Sequence, residues 1–110
     1  MSNQTVSLDV IRTLAFGGIS GAYAPVGTQL TEPVRLICFT NDTDAGMFFS
    51  DDGVNNKLYL PPGTFKLFDI TTNKIGTAPI WCFAPGTQFS VKQASAPGKG
   101  AVYIECLWGV

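Results

Sequence analysis

Three cysteines, eight carboxylates and no histidine set what chemistry this chain can attempt. Cys38, Cys82 and Cys106 each lie in an apolar run: Ile37-Cys38-Phe39, Trp81-Cys82-Phe83 and Glu105-Cys106-Leu107. A catalytic thiolate needs a basic partner to lower its pKa, and the chain has no histidine to serve as one. They read as buried thiols acting as small hydrophobes in a reducing compartment. Without histidine, the commonest general base and the commonest zinc ligand are both missing. Serine catalysis lacks its histidine and also its Gly-x-Ser-x-Gly elbow. Gly17-Gly18-Ile19-Ser20-Gly21 is followed by no lysine and opens no helix, so it is not a phosphate cradle.

The carboxylates are candidates for metal binding and for acid–base work. Asp42, Asp44, Asp51 and Asp52 lie in two loops that a hairpin could bring together, and four carboxylates would suit Ca²⁺. The EF-hand spacing fails, because Gly46 comes one residue early and no glutamate closes the loop. Asx turns account for the same residues, since Asp and Asn bond their own backbone. A glycosidase pair is not formed either. Asp51 and Asp52 are adjacent and point to opposite faces of an extended chain. Glu105 faces outward on the last strand, and Glu32 precedes Pro33 in a loop. The expectation is a protein without catalytic residues, metal or cofactor.

Charge narrows the partners. Net charge is −1 and only 14% of residues are charged, against roughly 25% in typical domains. Lys57, Lys66, Lys74, Lys92 and Lys99 are scattered, so nucleic-acid binding by phosphate neutralisation is not expected. No apolar stretch approaches the roughly 20 residues of a membrane helix. Met1 to Thr5 is polar and begins no signal peptide. The expectation is a soluble chain made in the cytosol. So sparse a charge implies either an uncharged polar coat or a surface hidden by partners. Aromatic residues make 12% of the chain. Core packing is their default, and Trp81 with Trp108 could instead form a sugar-stacking platform.

The elements that position these residues are strands. Thr, Val, Ile, Phe and Tyr come in short runs broken by Gly, Pro, Asn and Asp. No apolar stripe of helical period lasts three turns, so no substantial helix is expected. Val6 to Phe16 alternates, slips at Ile11 and resumes, which predicts a bulge or bend near Val10. Alternatively, residues 1–10 are an extended arm. Val34 to Thr40 is apolar on both faces apart from Arg35, as in a central, doubly covered strand. Asn41 to Gly46 reads as a hairpin loop leading into Met47 to Ser50. Asp51 to Gly53 turns, and Lys57 to Leu60 and Thr64 to Ile70 follow. Thr71 to Lys74 closes a hairpin before Ile80 to Phe83. Gln88 to Lys92 and Ala101 to Trp108 complete about eight strands at spacings that suit a sandwich. Pro62-Gly63-Thr64, Pro85-Gly86-Thr87 and the looser Pro25-Val26-Gly27-Thr28 repeat one turn chemistry, expected at one end of the sandwich. Residues 1–110 form one domain in this reading.

A resemblance sharpens it. Val34 to Asp69 runs as an apolar strand, Thr40-Asn41-Asp42-Thr43-Asp44, an aromatic return strand, Ser50-Asp51-Asp52-Gly53, then Leu58-Tyr59-Leu60-Pro61-Pro62-Gly63. Phe89-Ser90-Val91-Lys92-Gln93 and Val102-Tyr103-Ile104 follow. The pattern resembles small virion proteins of tailed bacteriophages, across residues 11–108. The matching motifs are turn chemistry, not active-site chemistry. The resemblance implies an all-β antiparallel sandwich, jelly-roll ahead of immunoglobulin-like. It also implies a non-enzymatic virion protein, assembled in the host cytoplasm as a homo-oligomer. The partner would be the major capsid protein or another virion protein. Decoration or cementing of the capsid is the first role, and the head–tail junction or a tail fibre the alternative. Interface candidates are Val6 and Leu8 of the arm, with Asn41, Asp42, Asp44, Asp51, Asp52 and Asn55 from projecting loops. A reading of another class is a host-glycan-binding module, marked by Trp81, Trp108 or Tyr103 in a row on one sheet face.

Overall fold

The computed structural model describes residues 6–70 and 82–109, and side chains within 7–70 and 82–108. These residues are all-β. The strands are β1 (Val6–Leu8), β2 (Arg12–Ala15), β3 (Ala24–Pro25), β4 (Leu36–Thr43) and β5 (Met47–Ser50), then β6 (Leu58–Leu60), β7 (Thr64–Asp69), β8 (Ser90–Gln93) and β9 (Gly100–Gly109). One 3-10 turn, Phe16–Gly18, lies where the glycine-rich loop was expected.

Two antiparallel sheets pack face to face. The first runs β1–β9–β4–β7, with β2 also on β9, and the second runs β3–β8–β5–β6. From β2 onward the chain changes sheet at every step except β5 to β6. That is jelly-roll connectivity, in which the two strand orders interleave.

The alternation in the sequence sets the core. Ile37 and Phe39 of β4 and Val102, Ile104 and Cys106 of β9 point inward, against Met47, Phe49, Leu60 and Val91 of the second sheet. Phe39 is the hub. Its ring meets Phe49 at 5.4 Å, Phe68 at 5.8 Å and Phe89 at 5.3 Å, all edge-on, and Phe83 extends the cluster to Phe89 at 5.4 Å. Each such pair contributes about 0.5–1.5 kcal/mol beyond its buried area.

The slip near Val10 is a bulge. Leu8 pairs with Leu107 and Arg12 with Ile104, so the first strand carries one residue more than β9 over this step. An extra residue reverses which face later side chains take. Leu8 points out, whereas Arg12 turns into the sandwich and is only 2% exposed. Arg12 is fully engaged there. Its Nε donates to the Thr28 carbonyl at 2.7 Å, and Nη1 to Asp9 Oδ2 at 2.9 Å and the Val10 carbonyl at 3.1 Å. Nη2 donates to the Gln29 carbonyl at 3.2 Å. Gly27 sits at φ 65°, and a side chain there would press on Arg12 Cγ at 2.7 Å.

Three expectations are corrected. Asn41 to Gly46 is not a hairpin loop: β4 continues through Thr43, and β4 and β5 lie in different sheets. The strand extends because side chains there satisfy the corner's backbone. Asn41 Nδ2 donates to the carbonyls of Ala45 (2.8 Å), Leu60 (3.0 Å) and Pro61 (3.2 Å). Its Oδ1 accepts from the Thr43 amide (3.1 Å) and hydroxyl (2.6 Å). Second, the Pro-Gly-Thr turns do share one chemistry, for Thr64 and Thr87 each bond the carbonyl three residues back at 2.7 Å. They stand at opposite ends, however. Leu60 pairs with Met47 and leads into the first turn, whereas the second precedes Ser90, which pairs with Ser50 at the other end of β5. Third, Val6–Leu8 is paired with β9 and does not project as an arm. The hairpin at Thr71 to Lys74 lies outside the described residues, as do Ile80 and Trp81. Phe83 bridges Val34 through mutual backbone bonds of 3.0 and 2.8 Å.

Candidate interaction surface

The two outer faces of the sandwich differ. On the second sheet, Phe48 pairs with both Tyr59 and Lys92. The Phe48 and Tyr59 rings lie 5.3 Å apart, and the Lys92 ammonium sits 5.0 Å from the Tyr23 ring and 5.9 Å from Phe48. Tyr23 in turn donates to Asn56 Oδ1 at 2.6 Å. Cation and rings cover one another.

The first sheet has no such cover among the described residues. Outward positions follow from register: Leu8, Leu107 and Leu36 form one cross-strand row, and Cys38 stands beside Leu67, and Thr40 between Tyr103 and Phe65. Leu8 is 81% exposed, Phe65 67% and Leu67 55%. Leu36, Cys38, Tyr103 and Leu107 are half-buried by one another. Single exposed apolar residues are ordinary, but a contiguous apolar sheet face marks an interaction surface. Among the described residues, the charges that register places on this face are carboxylates, with Glu105 beside Cys38, Asp69 beside Leu36 and Asp42 beside Ala101.

The sequence-derived interface residues fall in separate places. Leu8 lies on the apolar face, and Val6 pairs with Gly109 at its margin. Asn41 is a correction: it is wholly buried, because three carbonyls need its amide. Asp42 is exposed at the far end of β4. Asp44 accepts from the Gly98 amide at 2.7 Å, and that bond holds its carboxyl below the usual range. Asp51, Asp52 and Asn55 sit beyond the opposite end of β5, so the four aspartates are not gathered. Among the described residues no three cysteine, aspartate or glutamate side chains cluster. Sequence reasoning misses Phe65, Leu67 and Leu107, and names Tyr103 only for the glycan-binding alternative. Apolar residues on both faces of β4, β7 and β9 were the available signal.

Asp52 organises the turn after β5. It accepts from the Ser50 hydroxyl (2.6 Å), the amides of Val54 and Asn55 (both 2.9 Å) and the Asn55 side chain (2.9 Å). The Ser50 hydroxyl, then these amides, hold its carboxyl far below the ordinary range. A depressed folded-state pKa adds stability above the unfolded value of about 3.9, which is lost as pH falls below it. Thermal unfolding followed from pH 7 to pH 2 should therefore show a falling Tm below about pH 4. Asp52→Asn should flatten that decline and lower the Tm at pH 7.

The thiols divide three ways. Burial pushes the Cys106 thiol up to about 11, so it stays protonated. Cys38 is half-buried on the apolar face. Cys82 is exposed, which corrects the expectation of three buried thiols: its strand run did not place it inside. Core packing, the default reading of the aromatics, holds for Trp108, and Trp108 and Tyr103 do not share the row that a sugar platform needs. Trp108 packs against the core, whereas Tyr103 faces outward from the same strand, and Trp81 lies outside the described residues.

Among the described residues no helix is long and apolar enough to cross a membrane. No protein-family model matches the chain, and no curated protein or solved structure matches it either.

Proposed function

We propose that this chain is a non-enzymatic structural protein of a bacteriophage particle, decorating or cementing the capsid shell through the outer face of its first sheet. The observation that carries the reading is the apolar row Leu8–Leu107–Leu36 with Leu67 and Phe65 beside it, exposed on a face that nothing in the described residues covers. The sparse charge is of the kind expected where a partner hides surface. The jelly roll is compatible with this role and does not select it, since that fold serves capsids, lectins and cupins alike. Burying this face against the major capsid protein, or another virion protein, would remove several leucine and phenylalanine side chains from water. Binding to the assembled shell alone would stabilise it by linkage. A symmetric homo-oligomer is the economical way to cover a repeating surface.

The test is copy number. Quantitative mass spectrometry of purified phage particles is expected to find this chain at a count comparable to the major capsid protein. A count near that of portal or tail proteins would move it to the head–tail junction or a fibre, and absence from particles would overturn the reading. Leu67→Glu should leave the free energy of unfolding within about 1 kcal/mol of wild type, because the site is exposed. It should also remove the chain from particles.

A further inference from the structure

Between the two sheets, at the end where β4 begins, the Phe39 ring cluster lines a pocket of about 130 Å³ that opens to solvent. Its wall is the five rings of Phe39, Phe49, Phe68, Phe83 and Phe89, completed by Leu58. Ring faces and edges that border open space lack contacts there that a guest of matching size would supply. About 150 Å³ of apolar space is enough to hold one benzene ring.

We infer that this pocket is a binding site for a small, neutral molecule carrying one aromatic ring. Volume sets the size at a single ring. The lining sets the chemistry, because five phenylalanines offer ring edges and faces to an aromatic guest, while the buried Ser50 hydroxyl in it is already bonded to Asp52. The mouth sets the charge. Ser50, Asp51 and Lys57 complete the lining, and the half-exposed pair of Lys57 and Asp51 marks where the pocket meets solvent. Lys57 Nζ is held by Asp51 at 2.7 Å and reaches Asp52 at 3.5 Å, and the Ser50 hydroxyl is committed to Asp52 at 2.6 Å. Lys57 is shared by two carboxylates, and Asp52 already accepts from Ser50, Val54 and Asn55, so neither an anionic nor a cationic guest meets a free partner on entry, and either loses hydration. The site is separate from the apolar face of the first sheet, and it stands or falls independently of the virion reading.

Titration of the intact protein with benzene, benzoate and benzylamine, followed by ring-proton NMR and thermal shift, tests it. Benzene is expected to shift phenylalanine ring signals in a saturable way and to raise the Tm. Benzoate and benzylamine should bind at least tenfold more weakly. Leu58→Trp should fill the space and abolish the benzene shifts while circular dichroism remains that of the wild type. If that variant does not fold, competition between benzene and toluene on the wild type serves instead, with one saturable site expected. No saturable shift up to the solubility of benzene would overturn the proposal, as would equal binding of the three probes.

Discussion

Arg12→Ala is expected to lower the free energy of unfolding by about 3–5 kcal/mol, the range for removing one partner of a buried ion pair. Urea denaturation followed by tryptophan fluorescence would show it as a lower midpoint with little change in slope. The size follows from what the guanidinium holds. It joins Asp9 to Val10 across the bulge, and ties both to the carbonyls of Thr28 and Gln29. Truncation leaves Asp9, whose side chain is 12% exposed, without its cation, and strands carbonyls in the interior. Arg12→Lys should recover little, because one ammonium cannot reproduce a planar fork that donates in four directions. Arg12→Met separates packing from charge: a loss as large as that of alanine would assign the effect to the polar network. A loss under about 1 kcal/mol for Arg12→Ala would mean that the bulge holds without it.

The second large effect is at Asn41. Asn41→Ala should cost about 3 kcal/mol, because the carbonyls of Ala45, Leu60 and Pro61 lose their donor together inside the protein. The Thr43 hydroxyl would keep its bond to Ala45 at 2.9 Å, so the corner loosens without losing every contact. Asn41→Asp should be worse, since it places a carboxylate oxygen against carbonyl oxygens. Equilibrium unfolding of the two variants gives the order. Equal stability of wild type and Asn41→Ala would return this residue to the surface role its sequence context suggested.

These two residues show where sequence reading succeeds and where it stops. The bulge was legible, because Ile11 breaks the alternation that Val6, Leu8 and Val10 begin. Its consequence was not. Whether Arg12 turns in or out depends on pairing with Ile104, ninety-two positions away, and no local pattern encodes that partner. Asn41 had the opposite fate. Among Asp42, Thr43 and Asp44 it reads as loop chemistry, and those residues are indeed turn formers. Its burial comes from Leu60 and Pro61, which β6 delivers from the other sheet. The apolar face was half visible. Val34 to Thr40 showed apolar residues on both sides, and the natural inference was a strand covered twice. The second cover is missing among the described residues, and that became apparent only once β1, β4, β7 and β9 were set side by side.

By itself the sequence determined the all-β class, most strand positions and the turn chemistry of the Pro-Gly-Thr repeats. All of these rest on interactions within a few residues: alternation of period two, β-branched propensity, and φ constraints at proline and glycine. The tertiary structure decided the jelly-roll strand order, the inward turn of Arg12, the burial of Asn41, the exposure of Cys82 and the apolar face of Leu8, Leu36, Leu67 and Leu107. Each of those depends on which distant strand supplies the neighbour, and that choice is made by the free energy of the whole sandwich.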